Sequence, residues 1–574
     1  MLQLRILQLV LLSLVCGVLG IPAQAPLVIP QGGIDDLTKP RRKLQGRFLH
    51  ITDMHPDPHY RVGSSAKKAC HRGKPKEGKA AAGFYGLSYS DCDSPYSLTN
   101  YTFEYLEREW VDDIDFVIWT GDSARHDNDR RRPRTTAEIY ALNRAMAKRM
   151  EEVFVRRGIP VVPSIGNNDV WPHNIMMPGP NSITSEFSSI WRSFVPFPAY
   201  QVFQRGGYFS VEVIPNSVAV ISLNTMYFYD SNTAVGGCEH SDPQDPGNLE
   251  LDWLEVQLRL FRDRKMQVWL SGHVPPSSRN YFPECHVRYV ELSLRYQDTI
   301  LGHVYGHMNM DHFFLLDAQA LSRRHNASLT SGNEATVLKH NKKELYRLLL
   351  QEFGDVPKAE NLDHDNYGVV NVAPSLVPTY LPSFRIFAYN TTGELYEPGQ
   401  LGEDEQPGPA TRSMRDIAGP LCHDPEYQNT WRCQLTQPWH SNPKSPSRTN
   451  ALWTPLGFAQ YYLPGLDGAT EEDSPKFKLE YLTFPVHALH PHAEAEEAEN
   501  ATLARKFAYP IPKRHLPRSL RNSTVTKSKK YAPYGLADLT IPSWTRLARR
   551  LGRKKGKTLR QRFKEFMYMG GGEA

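Results

Sequence analysis

Phe116-Val117-Ile118-Trp119-Thr120-Gly121-Asp122 is the stretch on which the fold turns. Four apolar residues, β-branched or aromatic, read as a buried strand; a glycine then bends the backbone and a carboxylate follows at once. Metal-binding side chains end apolar runs at four further places. Asp53-Met54-His55 follows Arg47 to Thr52, Gly166-Asn167-Asn168-Asp169 follows Val161 to Ile165, Gly272-His273 follows Val268 to Leu270, and Gly306-His307-Met308-Asn309 follows Ile300 to Tyr305. Each motif alone recurs by chance, and a capped turn or a satisfied histidine would explain it. The weight lies in their order and in their shared placement at strand ends.

Divalent cations need deprotonated carboxylates and neutral imidazoles on rigid supports, and the turns after buried strands supply them. Asp53 and His55 are two residues apart, so in a continuing strand they would share a face. Asp122 has two oxygens with which to bridge two cations. A pair of ions about 3.5 to 4 Å apart polarises phosphoryl oxygens, generates hydroxide from water and orients an in-line attack, so no serine or cysteine nucleophile is needed.

Working outward, strands are expected over Arg47 to Thr52, Asp115 to Thr120, Pro160 to Ile165, Tyr208 to Ile214, Val218 to Leu223, Met266 to Ser271, Ile300 to Tyr305 and His312 to Leu316. Thr136 to Arg156 and Leu249 to Arg264 carry apolar residues at helical spacing. The expected class is α/β: a layered β-sandwich flanked by helices, with a loop-rich C-terminal extension. The catalytic domain is expected over residues 46–390, with an insertion at about 318–356 that ends in a helix-like Lys342 to Phe353. Residues 391–540 are expected to be loop-rich and to pack on the core: Phe384 to Tyr389, before them, and Lys478 to Phe484, within them, alternate like strands, so parts of the C-terminal half should pack back. Within them, Glu394 to Lys444 reads as loop.

The motif set resembles the calcineurin-like metallophosphoesterases. Asp53-Met54-His55-Pro56-Asp57-Pro58-His59-Tyr60, Tyr85-Gly86, Cys92-Asp93-Ser94-Pro95 and the His126-Asp127 that follows Gly121-Asp122 are similar to the acid-sphingomyelinase-like branch. Within it, Gly166-Asn167-Asn168-Asp169 and Gly306-His307-Met308-Asn309-Met310-Asp311-His312-Phe313 resemble the fungal endopolyphosphatases. The resemblance covers about residues 46 to 390. It implies two divalent cations: one on Asp53, His55 and Asp122, the other on Asp122, Asn167, His273 and His307. Asn309 stands where the branch usually has a histidine for the first ion, and Asn168 replaces a histidine that many relatives place beside the phosphate.

A polyphosphate leaving group departs as a stable anion and needs less protonation than a lipid alkoxide, so the loss of a histidine at 168 is tolerable there. His126 is the expected replacement acid or phosphate contact. Arg125, Arg130, Arg131 and Arg132, with Arg134, Lys67, Lys68 and Arg72 nearby, are expected to line a cationic groove for a long polyanion. His303, on the strand that leads to His307, is expected to brace the site. His50, His59, His71, His240, His286 and His312 are read as loop or packing histidines.

The chain has 574 residues, 39 glycines, 44 prolines and a net charge of +5, spread unevenly. Residues 1–25 carry one charge, Arg5, and then an apolar stretch from Ile6 to Gly20, a secretory-pathway address read either as a signal anchor or as a cleaved signal peptide. Beyond Cys16, the six cysteines Cys70, Cys92, Cys238, Cys285, Cys422 and Cys433 suit three disulfides in an oxidising lumen. Sequence proximity favours Cys70 with Cys92 and Cys422 with Cys433, which leaves Cys238 for Cys285. Asn100, Asn326, Asn390, Asn500 and Asn522 are sequons expected on exposed loops. The tail, residues 541–574, holds a basic amphipathic pattern around Trp544, Leu547 and Leu551 that would lie on anionic lipid, grip an anionic polymer or simply be solvated.

The implied activity is a metal-dependent endopolyphosphatase that cuts internal phosphoanhydride bonds of inorganic polyphosphate. By resemblance its place is the vacuole membrane, as a single-pass protein with a lumenal catalytic domain; a soluble lumenal or secreted form is the alternative. No nucleic-acid partner is expected. The rival readings are a phosphodiesterase acting on a phospholipid or nucleotide, and a non-catalytic lumenal polyphosphate-binding protein that retained the metal pocket.

Overall fold

The computed structural model of the chain describes residues 43–321, 342–398, 413–490 and 510–569. Among these residues the strands are β1 (Arg47–Ile51), β2 (Phe116–Trp119), β3 (Val161–Pro163), β4 (Phe209–Ile214), β5 (Val218–Ser222) and β6 (Gln267–Ser271). They continue as β7 (Ile300–Tyr305), β8 (His312–Asp317), β9 (Tyr367–Val372), β10 (Ser383–Tyr389), β11 (Pro455–Tyr462) and β12 (Lys478–Leu482). They form two six-stranded sheets, ordered β12-β11-β10-β1-β2-β3 and β4-β5-β6-β7-β9-β8. Trp269 of β6 stands edge-on to Phe48 of β1 and Phe387 of β10, with ring centroids 4.9 and 5.7 Å away, so the two sheets share one apolar core.

Strand direction positions the site. β1, β2 and β3 run parallel, as do β5, β6, β7 and β9, so in each sheet the turns after these strands emerge at one edge. Asp53, Asp122 and Asn167 leave the first sheet there, and His273 and His307 leave the second. Ser222 of β5 donates to the carbonyl of Pro163 at the end of β3, 2.6 Å away, and ties the two edges together.

The layered α/β expectation holds, and the eight strands expected before residue 318 are present with ends shifted by at most two residues. The expected helices form as Thr136–Val153, Pro246–Asp263 and Lys342–Asp355. Two strands have no counterpart in the sequence reading. β9 (YGVVNV) is buried along its whole length between β7 and β8, but its glycine and asparagine break the apolar run. β11 begins at Pro455 and contains Gly457, both weak strand formers, yet it lies between β10 and β12. The region beyond residue 390 therefore supplies two of the six strands of the first sheet, β11 and β12, and the stretch Glu394 to Lys444, read as loop, contains the short helices Met414–Ala418 and Trp431–Gln434.

The basic tail forms the helices Ile541–Gly552 and Lys557–Met567. Trp544, Leu547 and Leu551 are buried, and Trp544 packs on Phe313 of β8 at 4.5 Å between centroids. Phe313 also stacks on Phe353 of the helix Lys342–Asp355, so the tail's apolar stripe faces the domain and not a bilayer.

Disulfides join Cys70 to Cys92, Cys238 to Cys285 and Cys422 to Cys433, as sequence proximity suggested. Asn100 and Asn522 are exposed. Asn390 corrects its expectation: it is buried, and its amide nitrogen, the atom a glycan would occupy, donates to Asn450 at 2.8 Å. Asn326, Asn500 and the apolar stretch Ile6 to Gly20 lie outside the described residues. Among the described residues no helix is long and apolar enough to cross a membrane.

Candidate metal centre

The first two motifs are laced together by their backbones. The Asp53 amide donates to the carbonyl of Gly121 at 3.0 Å, and the amides of Met54 and His55 both donate to that of Asp122, at 3.0 and 3.3 Å. Because β1 stops at Ile51, the expectation that Asp53 and His55 share a strand face does not hold. Both instead adopt left-handed backbone, φ +50° and +41°, as do Asp122 at +56°, His307 at +69° and Asn309 at +56°. Such φ values disfavour any residue with a Cβ, and five of them gathered on these motifs mark a place where side-chain aim outranks backbone comfort. Gly166 is required for close approach: a Cβ there would overlap the carboxylate of Asp122. At Gly306 a Cβ would overlap Thr52 Oγ1.

The side chains converge. His55 Nε2 lies 3.6 Å from Asp53 Oδ1 and 3.5 Å from Asp122 Oδ2, and His273 Nε2 lies 3.2 Å from that same Asp122 oxygen. Asn167 Oδ1 sits 2.9 Å from His273 Nε2 and 2.9 Å from His307 Nδ1. Donor atoms each about 2.1 Å from one divalent ion stand roughly 3 to 3.5 Å apart, which is the spacing seen here.

Partners behind the donors set their orientation. His55 Nδ1 donates to the carbonyl of Ala124 and His273 Nδ1 to that of Thr120, each at 2.7 Å, which turns both Nε2 atoms inward. Asn167 Nδ2 is held by His173 and Asn174, so its oxygen faces the histidines. Buried Asp53 Oδ1, His55 Nε2, Asn168 Oδ1 and Asn309 Oδ1 find no hydrogen-bond partner among the described residues. A buried polar atom without a partner costs about 1–3 kcal/mol, so four of them on the predicted motifs fit a centre built for cations.

Asp169 does work that its place in the third motif did not reveal. One oxygen accepts from the amides of Asp122 and Gly166, the other from Ser123, Ala124 and the side chain of Asn143. It fixes the turn that carries Asp122. Asn168 completes the hold, donating to Asp122 through its amide and its Nδ2, each at 2.8 Å.

Beside the centre, His126 lies face to face with His55, ring centroids 3.9 Å apart. Its Nδ1 and its amide are both bonded to Asp93, at 2.6 and 2.8 Å. Asp93 and His126 are 33 residues apart, so local sequence gives no sign that they pair.

The arginines divide. Arg125 corrects its expectation as a substrate contact: it is 1% exposed, forks onto Glu138 at 2.8 and 3.0 Å, and spends its other donors on the carbonyls of His126 and Arg132. Arg134 is likewise buried, bonded to the carbonyls of Arg125 and Asn168. Arg72 pairs with Asp129, which also accepts from His71. Arg130 and Arg131 are exposed, and half-buried Arg132 reaches His59. His303 corrects its expectation too: its Nδ1 bonds the Tyr289 hydroxyl, 2.7 Å away, and not a residue of the centre.

Burial pushes the His55 and His273 imidazoles down, but the carboxylates of Asp53 and Asp122 outweigh it and hold both up to about 9. Asp122 feels the same burial upward, yet His273, His55 and Asn168 keep it well below the usual carboxylate range. Asp169 is raised by burial and by the charge of Asp122.

Comparison with known proteins agrees with this geometry. Residues 46–308 match the family model for calcineurin-like phosphoesterases. An endopolyphosphatase of Cryptococcus neoformans var. neoformans is 40% identical over 92% of this chain and 91% of its own length. One of Schizosaccharomyces pombe is 31% identical over 90% and 85%, and one of Saccharomyces cerevisiae is 37% identical over 65% of each chain. Among solved structures, a dimetal phosphatase from Danio rerio covers 60% of this chain and 93% of its own, with 11% identity and a TM-score of 0.32, a likeness too slight to add weight. Similarity of this extent to curated relatives means that the chain belongs to the endopolyphosphatase family of calcineurin-like phosphoesterases.

Proposed function

We propose that the protein is a metal-dependent endopolyphosphatase that hydrolyses internal phosphoanhydride bonds of inorganic polyphosphate to shorter chains. The observation that carries the reading is the meeting of Asp53, His55, Asp122 and His273 within 3.6 Å of one another along successive pairs, with unpartnered buried donors among them. Asp53, His55, Asp122 and Asn309 would hold one divalent cation; Asp122, Asn167, His273 and His307 would hold the second. Two such ions supply Lewis acidity toward phosphoryl oxygens and a nucleophile drawn from water at neutral pH.

The chain's own residues do the positioning. Asn168 orients the shared carboxylate of Asp122 through both of its N–H groups. His126, locked at Nδ1 by Asp93, leaves Nε2 for a phosphate oxygen or for the departing chain. That departing group is a phosphate anion of modest basicity, so one partly exposed imidazole meets the demand without a second at position 168. Exposed Arg130 and Arg131, on the loop that begins at His126, would offer cations to further phosphates. Three disulfides and the N-terminal apolar stretch support a site of action in an oxidising lumen; the vacuole as that compartment rests on the resemblance, and the apolar stretch serves as signal anchor or as cleaved signal peptide.

The test is a side-by-side assay of long-chain polyphosphate, sphingomyelin and a nucleotide phosphodiester with the purified full chain and defined divalent ions. A ladder of intermediate lengths from polyphosphate, abolished by Asp122→Asn, is expected. Release of single phosphates from chain ends, or turnover of sphingomyelin alone, would overturn the reading.

A further inference from the structure

Between Trp544 and Lys564 the sequence places ten Lys or Arg residues and no Asp or Glu. The structure folds this stretch into two helices joined by the turn Arg553-Lys554-Lys555-Gly556. What such a surface recognises depends on where its apolar side goes. Trp544, Leu547, Leu551, Phe563, Phe566 and Met567 are all buried, against Phe313 and Phe353 among others. Gly552 meets the backbone of Phe353 so closely that no Cβ would fit, which seats the first helix firmly. No apolar stripe is left to enter a bilayer, the requirement for an interfacial helix.

The cations, by contrast, stay in water. Arg546, Arg553, Lys554, Lys555 and Lys557 are exposed, and none of them pairs with a carboxylate among the described residues. Four of these charges, Arg553, Lys554, Lys555 and Lys557, sit together at the turn between the helices, with Arg546 about two helical turns before them, so the fold holds a strongly positive surface there. A linear polymer with a charge on every repeat answers that surface better than a small anion does, because each phosphate neutralised releases condensed counterions. The hairpin also ends close to the backing of the metal centre. Tyr568 packs on Tyr380 at 5.7 Å, and Val377, three residues before Tyr380, donates its amide to the Asp53 carbonyl at 2.8 Å.

We infer that the C-terminal basic hairpin is a docking surface for polyphosphate, engaging a stretch of the chain remote from the bond being cut. This rests on the endopolyphosphatase reading, and it predicts that affinity grows with chain length beyond what the centre itself contacts. The experiment uses the full chain and a quadruple charge reversal, R553E/K554E/K555E/K557E, compared with wild type. Binding of long polyphosphate is measured in an Asp122→Asn background, where hydrolysis plays no part; KM is measured in the active background on long polyphosphate and on tripolyphosphate.

The reversal is expected to weaken long-chain binding and raise the long-chain KM by about tenfold, to flatten the salt dependence of both, and to leave tripolyphosphate turnover unchanged. Unchanged long-chain binding would overturn the inference. So would an equal loss on both substrates, which would mean damage to the centre or the fold. Loss of binding to vesicles of anionic phospholipid with polyphosphate binding intact would assign the hairpin to a membrane instead. If the wild type binds long polyphosphate through the hairpin but never cuts it, the catalytic reading fails and the docking surface stands.

Discussion

The imidazole of His126 is gripped at Nδ1 by the carboxylate of Asp93, 2.6 Å away. The pair lies beside the metal centre, with the His126 ring against His55. Loss of a positioned acid or base costs about 10²–10⁴-fold in rate, so His126→Ala is expected to lower kcat by about a hundredfold with metal content unchanged. Asp93→Asn removes the orienting charge and should cost less than His126→Ala. Steady-state kinetics alongside elemental analysis checks both. Full activity of His126→Ala on polyphosphate would remove it from the mechanism.

Metal uptake is expected to depend on pH. With the centre free of metal, burial lowers His55 and His273, but their carboxylate neighbours hold both up to about 9, so each is protonated at neutral pH. A ligand imidazole must be neutral, so cations compete with these protons. Affinity should therefore rise as pH climbs toward about 9 and level off above it. Titrating chelator-stripped protein in weak buffer should show proton release at pH 7 and little at pH 10. Equal release at both would contradict this electrostatic picture.

Asn309 offers an amide oxygen where an imidazole would bind transition metals more firmly. Asn309→His is expected to tighten the weaker of the two ions by about tenfold, read by competition with a chelator. Its buried, unpartnered Oδ1 motivates the change. No change in either affinity would place Asn309 outside the coordination shell.

Arg125 belongs to the scaffold. Removing one partner of a buried ion pair costs about 3–5 kcal/mol, so Arg125→Ala should lower stability to denaturant by about 3 kcal/mol, while Arg131→Ala barely moves it. In kinetics the roles reverse: Arg131→Ala should raise KM for long polyphosphate, and Arg125→Ala, assayed where it remains folded, should not. A large KM effect from Arg125 alone would restore it as a substrate contact.

Much of this protein could be read before any fold was drawn, for a local reason. A buried strand announces itself by an apolar run, and a turn that must aim a donor announces itself by glycine and the donor next to it. That is why Asp53, His55, Asp122, Asn167, His273 and His307 stand out, and why nearby cysteines suggested their own partners. β9 and β11 stayed hidden because glycine, asparagine and proline break their local pattern, and burial between neighbouring strands overrides propensity.

What tertiary structure alone decided concerns pairs far apart in sequence. Arg125 and Arg131 look alike as letters, yet Glu138 takes the first out of solvent while the second stays exposed. Asp93 became a partner of His126 only when the loops carrying them met. The basic tail permitted a lipid or polymer reading until Phe313 and Phe353 received its apolar side. Residue type sets which interactions a side chain is able to make, but burial and neighbours select the one it makes, and neither is written in local spacing.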